Sequence, residues 1–285
     1  MTATALGMVL VAAILHALWN LMAKRAGGGP AFVWLYGTTS ALLLSPLAIA
    51  LLFVRQPQLS FVGISFTVAS AILHAGYFIV LQEGYREGEL SVVYPVARGT
   101  GPVLSTIAAI AVLGERPSAL AIIGAILVAL AVFALAKPAR SSAAGTRRAI
   151  TFGLITGVLI AGFTLCDKQA VGPYGVPPLL QQWGTSVGMS VILAPVALRR
   201  RAEIRHHLQH HLTPVLAIGV LVPTAYILVL TAMTFTPVSY IAPAREVSIL
   251  FGTIMGTHLL SEGQAGKRIA AAMIMVFGLA ALALG

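Results

Sequence analysis

The chain has 285 residues, of which 58% are hydrophobic and only 9% charged, with a net charge of +10 and a mean hydropathy of +0.94. A water-soluble domain carries about 25% charged residues, so these values exclude a soluble globule and predict an integral membrane protein. The apolar runs are continuous and about 18–24 residues long, enough for a helix to cross roughly 30 Å of hydrocarbon, and they lack the period-two alternation of a membrane β-barrel. The positive charge lies between the runs, so the inner face of a membrane accounts for it and no nucleic-acid partner is expected. Cys166 is the only cysteine, which rules out an intrachain disulfide and a cysteine cluster for zinc. No cofactor or metal is expected. The first apolar run lacks a basic segment before it and reads as a spanning helix rather than a cleaved signal.

The pattern predicts an all-α protein with ten spans, near residues 4–23, 32–54, 61–82, 90–113, 118–136, 149–168, 178–198, 213–232, 238–260 and 267–284. Span one carries His16, Trp19 and Asn20; His16 and Asn20 are four apart and share a face. Span three carries His74 and Tyr77, also on one face, with Phe78 and Tyr85 beside them. Span four holds Tyr94-Pro95-Val96-Ala97-Arg98-Gly99-Thr100-Gly101-Pro102. Arg98 is a permanent cation at roughly bilayer depth, where a charge costs about 2.5–3.5 kcal/mol on insertion scales and marks a functional site by default. Pro95 and Pro102 remove helical hydrogen bonds and free the carbonyls of Ser91 and Arg98.

Span six has Gly153, Gly157 and Gly162, a spacing that lets helices approach closely, and Gly252 and Gly256 give span nine the same property. Span six ends on Asp167 and Lys168, which read as an interfacial pair. Gln181, Gln182 and Trp183 open span seven as interfacial anchors. The stretch Arg199–His211, with His206, His207, His210 and His211, reads as a basic turn drawn to anionic lipid heads rather than a metal site. Span eight carries Tyr226. Span nine carries Tyr240, Pro243, Arg245 and Glu246. Glu246 is a candidate coupling carboxylate or a partner in an interhelical ion pair; it does not share a face with its neighbour Arg245.

The two halves look duplicated. A shift of 147 residues brings Gly37-Thr38 onto Gly184-Thr185, Ala97-Arg98 onto Ala244-Arg245, and Leu113-Gly114-Glu115 onto Leu260-Ser261-Glu262. A small gap brings Tyr77 onto Tyr226. Residues 1–140 and 141–285 are then two five-helix repeats. Five is odd, so the second copy must be inserted upside down, an arrangement that carriers use to rock two halves about a midplane site. The odd-numbered loops hold 13 Lys and Arg residues and the opposite face 3. By the positive-inside rule the odd loops face the cytoplasm and both termini face outward, in an inner membrane of bacterial type.

The chain resembles the drug/metabolite transporter superfamily in its ten-helix, twice-repeated EamA form. The resemblance rests on the duplicated unit, on Gly84-Tyr85-Arg86-Glu87-Gly88-Glu89-Leu90-Ser91 entering span four, and on the Leu113-Gly114-Glu115-Arg116 and Leu260-Ser261-Glu262-Gly263 span ends. It implies a basket of helices around a central cavity lined by spans one, three, four, six, eight and nine, with five and ten peripheral. It also implies carriage of small metabolites or drugs, often outward; in size and format the chain is similar to bacterial aromatic and broad-range amino acid exporters.

Arg98 and Arg245 lie at similar depth, about eight residues or roughly 12 Å into their helices. As a pair they could clamp a carboxylate or phosphate, or either could be structural, neutralised by Glu246, Asp167 or freed carbonyls. His16, Asn20, His74, Tyr77, Tyr94, Tyr226 and Tyr240 are the candidate lining of an amphipathic substrate pocket, the alternative for the aromatics being interface anchoring. No G-x-x-x-x-G-K-[ST] sequence is present, so a nucleotide-driven pump within this chain is not expected. An intramembrane enzyme would need a nucleophile with a base, paired acids or a metal cluster, and no such set stands out. The expected partners are a small-molecule substrate and the bilayer, and because both repeats lie in one chain a monomer suffices.

Overall fold

A computed structural model of the chain describes residues 1–87, 90–134, 143–251 and 265–285, and the described residues contain helices and no strands. The helices are α1 (Ala3–Arg25), α2 (Pro30–Arg55), α3 (Phe61–Glu87), α4 (Leu90–Leu113), α5 (Ala119–Ala134), α6 (Ala143–Val171), α7 (Pro178–Leu198), α8 (Arg201–His210), α9 (Leu212–Phe235), α10 (Val238–Ala244) and α11 (Ala265–Leu284). Six of them, α1, α2, α3, α4, α6 and α9, are long and apolar enough to cross a membrane, and α5 and α11 contribute shorter apolar stretches.

Local chemistry sets the ends. Thr2 caps α1 by accepting the Ala5 amide at 3.2 Å, Ser60 accepts the Gly63 amide at 3.0 Å, and Ser118 accepts that of Ala121 at 3.0 Å, each satisfying an otherwise orphaned donor. Gly27, Gly28 and Gly29 all take positive φ between α1 and α2, a turn that β-carbon-bearing residues adopt only with strain. Pro30 then sits at the first turn of α2, where its missing N–H breaks no bond.

Three differences from the sequence expectation bear on function. The 199–212 stretch is not a plain turn: Arg201–His210 forms the short helix α8. Span six is longer than 149–168 at both ends, so Asp167 lies a full turn inside α6. Span nine does not run unbroken from 238. Helix α10 stops at Ala244, the backbone turns through Arg245 and Glu246, and helix resumes over 247–251. Through that turn the amides of Glu246, Ser248 and Ile249 reach carbonyls three residues back at 3.1, 3.2 and 2.8 Å, the tighter winding that follows when Pro243 removes a donor. Gly252, Gly256, the Leu260-Ser261-Glu262-Gly263 motif and Gly88-Glu89 lie outside the described residues.

The bundle is held by small residues. Gly153 and Gly157 of α6 press against α4; a β-carbon on Gly153 would stand 2.7 Å from Val96. Gly124 of α5 and Gly278 of α11 face each other so closely that a β-carbon on either would meet the other's carbonyl oxygen, at 2.6 and 2.9 Å. Gly162 has looser surroundings, with Leu73 nearest. Helix α3 packs along α6 and α9 along α1, while α2 and α7 lie against each other and are cross-linked by two indole donors, Trp34 to the Ser190 carbonyl at 2.9 Å and Trp183 to the Ser45 hydroxyl at 3.0 Å. Large apolar side chains such as Leu42, Phe53, Phe61 and Phe277 point outward, as a lipid-facing surface requires.

Candidate functional site

A cavity of about 1180 Å³, its solvent-open part included, lies at the centre of the bundle. Helix α1 contributes His16 and Trp19, α3 contributes His74, Tyr77 and Phe78, and α4 contributes Arg98, Pro102 and Ser105. Ile160, Phe163 and Thr164 come from α6, Val222, Ala225 and Tyr226 from α9, and Ala242, Arg245 and Glu246 from the broken helix. The resemblance implied no lining from spans two and seven, yet α2 supplies Tyr36, Gly37 and Ser40 and α7 supplies Gln182, Thr185, Ser186 and Met189. Among the described residues, helices α5 and α11 supply none of the lining.

The two arginines have different partners. Arg98 Nε lies 3.0 Å from Glu246 Oε2, with side chains 12% and 5% exposed. The charges meet without hydrogen-bond alignment, and both atoms lack a hydrogen-bond partner. Arg98 Nη2 also donates to the Ser248 hydroxyl at 3.3 Å. Arg245 has no carboxylate within ion-pair reach among the described residues. Its guanidinium carbon sits 5.1 Å from the centroid of the Tyr226 ring, a distance at which the ring quadrupole attracts a cation.

Tyr226 is held in turn by a buried polar network. Its hydroxyl donates to Asp167 Oδ2. Ser70 and Gln181 donate to Asp167 Oδ1 at 2.6 and 2.7 Å, and Thr67 donates to Gln181 Oε1 at 2.5 Å. His74 Nδ1 meets the Ser70 carbonyl at 2.9 Å; a carbonyl only accepts, so Nδ1 carries the hydrogen. The His74 ring stacks on Phe163 at 3.7 Å and stands edge-on to Tyr226 at 5.6 Å. The wholly buried Asp167 therefore has its oxygens satisfied by three donors, and the chain Asp167–Tyr226–Arg245 leads from α6 through α9 to the break after α10.

Of the candidate residues, His16, His74, Tyr77, Arg98, Tyr226, Arg245 and Glu246 come together on the cavity wall. Tyr94, Asn20 and Tyr240 do not. Asn20 donates to the His16 carbonyl one turn back, at 2.8 Å. The Tyr240 hydroxyl accepts the Ser118 amide and donates to the Gly285 carbonyl, both at 3.2 Å, pinning α10 to the start of α5 and the end of α11. Asp167 and Lys168 are not an interfacial pair, because consecutive helical residues diverge. Lys168 Nζ donates to the Met233 and Thr236 carbonyls at 2.6 and 3.1 Å, a cation on the negative end of α9. Glu115 accepts the Val238 and Ser239 amides at 2.7 and 2.9 Å, capping α10. Nor are Gln181 and Gln182 surface anchors; both are buried, and Gln182 donates to the Ser186 hydroxyl at 2.9 Å. The sequence signal for this α7 cluster was the repeated Gly-Thr pair at Gly37-Thr38 and Gly184-Thr185.

Among the described residues no three His, Cys, Asp or Glu side chains converge as a metal site. A polytopic helical bundle with a charged central cavity is the architecture that results. The chain belongs to the EamA-like transporter family, whose pattern matches it twice, over residues 3–136 and 147–284. No functionally curated protein sequence matches the chain. Among solved structures, the crystal structure of a protein 15% identical superposes with a TM-score of 0.77, covering 100% of this chain and 98% of that one, a likeness of fold alone.

Proposed function

We propose that this chain is a secondary-active carrier of the inner membrane that exports amino acids or related small carboxylate metabolites by alternating access. In this reading residues 1–140 and 141–285 are inverted five-helix repeats giving ten spans, the basic odd-numbered loops are cytoplasmic, and both termini face outward. The observation that carries the substrate reading is Arg245, a guanidinium on the cavity wall that has no carboxylate within ion-pair reach among the described residues and lies against the Tyr226 ring. A substrate carboxylate completes it with two parallel charge-assisted bonds, and the rings of Trp19, Tyr36, Tyr77 and Phe163 contact the rest of the molecule. Arg98 is already neutralised. Glu246 is the coupling group: a second anionic oxygen reaching Arg98 competes with Glu246, and a displaced Glu246 neutralises itself by taking up a proton.

The misaligned contact between Arg98 and Glu246 also favours a second reading, a dianionic organic phosphate or phosphonate that displaces Glu246 and uses both arginines. Drug carriage and an intramembrane enzyme have no comparable support: the Arg245 cation on the wall disfavours a cationic drug, and among the described residues no metal cluster converges. The test is uptake into liposomes holding purified protein, with labelled amino acids, organic phosphates and cationic dyes, beside Arg245→Gln and Arg98→Gln. A charge-assisted bond contributes about 1.5–3 kcal/mol, so Arg245→Gln is expected to cut carboxylate transport by roughly tenfold to a hundredfold while the protein stays folded. Transport of dyes alone, or normal transport by Arg245→Gln, overturns the reading.

A further inference from the structure

The charged wall is one end of the cavity; the other is made by α2 and α7. These two helices pack on each other, on α3 and on α9, with no substantial packing on α4 or α10. Among the described residues on the cavity wall, the buried polar atoms without a hydrogen-bond partner are Arg98 Nε, Glu246 Oε2 and Thr185 Oγ1. The first two face each other. Thr185 has no such neighbour, and the residue is 2% exposed.

A threonine inside a helix normally satisfies its hydroxyl on the carbonyl four residues back. Thr100, Thr156, Thr224 and Thr231 all do so here, each at 2.7 Å. The serines of the same wall are likewise engaged. Ser40 bonds to the Tyr36 and Gly219 carbonyls, Ser105 to that of Gly101, and Ser186 accepts from Gln182. Thr185 leaves its hydroxyl buried and unpartnered at the cavity wall; the hydroxyl of Thr164, on the α6 side of the same wall, is the other threonine hydroxyl that makes no hydrogen bond there. The repeat mate of Thr185, Thr38, also has an unpartnered hydroxyl but does not line the cavity.

We propose that Thr185 is a specificity-determining residue: it forms a subsite for a hydrogen-bonding group, a hydroxyl or amide, on the part of the substrate remote from its anionic head. The inference deepens the carrier reading above and rests on it for the existence of an anionic head. The physical ground is asymmetric. A buried polar group that is left unpaired disfavours an analogue lacking the matching group, whereas an apolar pocket barely rejects an added hydroxyl.

The experiment compares near-isosteric pairs competing for uptake into liposomes: threonine with valine, glutamine with methionine, and 2-hydroxyethyl phosphate with propyl phosphate. The native protein is expected to favour the hydrogen-bonding member by about fivefold to tenfold, the worth of one net hydrogen bond. Thr185→Val should bring that ratio close to one, while Thr185→Ser and Thr38→Val should keep it. Equal handling of every pair by the native chain, or an unchanged preference in Thr185→Val, overturns the subsite. Whether the carboxylate or the phosphate pairs are carried decides the head group separately, so the two proposals fail independently.

Discussion

Arg98 and Arg245 occupy matching positions in the two repeats, yet their surroundings differ in backbone and partner. Helix α4 continues through Arg98 despite Pro95 and Pro102, and the cation is neutralised across the bundle by Glu246. The second repeat breaks at Arg245, and the guanidinium rests on a neutral ring. One residue accounts for much of this. The position after Arg98 is Gly99, where a β-carbon would come within 2.6 Å of Phe133; the position after Arg245 is Glu246. The second repeat thus carries the carboxylate that pairs with the arginine of the first, while the first repeat has a glycine at the reciprocal position, crowded by the Phe133 ring. Of the duplicated cation, one copy is paired with a carboxylate and the other is set against a ring.

The strongest way to break that comparison is to remove the acid. Glu246→Gln leaves Arg98 buried without a counter-charge, and breaking such a pair destabilises by about 3–5 kcal/mol. Unfolding in detergent should record the loss, and the double substitution with Arg98→Gln should recover most of it; strict additivity of the two substitutions would mean that the pair is not coupled. The Gln variant should also flatten the pH dependence of uptake.

The Tyr226 face sharpens the same contrast from the other arginine. A cation over a ring is worth about 0.5–2 kcal/mol, so Tyr226→Leu is expected to weaken apparent substrate affinity by roughly twofold to thirtyfold. Tyr226→Phe keeps the ring, loses one bond to Asp167, and should lie between native and Leu. If Phe and Leu behave alike, the hydroxyl and not the ring positions Arg245.

The smallest effect lies away from both arginines and must be separated from them in any pH experiment. His207 of α8 is buried against Phe32, with ring centroids 5.1 Å apart. Burial, with His211 and His206 close by, holds its imidazole below the usual histidine range. A group with a depressed folded-state value contributes its neutral-form stability fully above the unfolded value near 6.5, and that contribution is lost as the pH falls. Thermal midpoints should therefore drop between neutral pH and about pH 5, and His207→Phe should drop less; an equal drop would place the titrating group elsewhere.

Much of this was legible in the order of residues. The apolar runs at 90–113 and 178–198 coincide with α4 and α7, because roughly 20 apolar residues in lipid have little alternative to a helix. The matched arginines were visible as well, since charges inside apolar runs stand out. Three things were not. Asp167 read as an interfacial residue because the end of span six was drawn at 168; the helix runs to Val171, and only the packing of α3, α7 and α9 around α6 supplies Ser70, Gln181 and Tyr226 to satisfy the carboxylate. Tyr240 looked like a lining residue from its spacing to Arg245, but its hydroxyl is engaged by Ser118 and Gly285, partners that only the packing of α10 against α5 and the chain end supplies. The α7 glutamines looked like surface anchors until α3 was placed against them.

The sequence by itself determined the membrane class, the helical runs, the duplication and the two intramembrane cations, because these depend on composition and spacing along one chain. Which cation is neutralised, which hydroxyl is left open and which helices line the cavity were decided only by tertiary structure. Each depends on a donor, an acceptor or a ring brought in from another helix, often more than a hundred residues away.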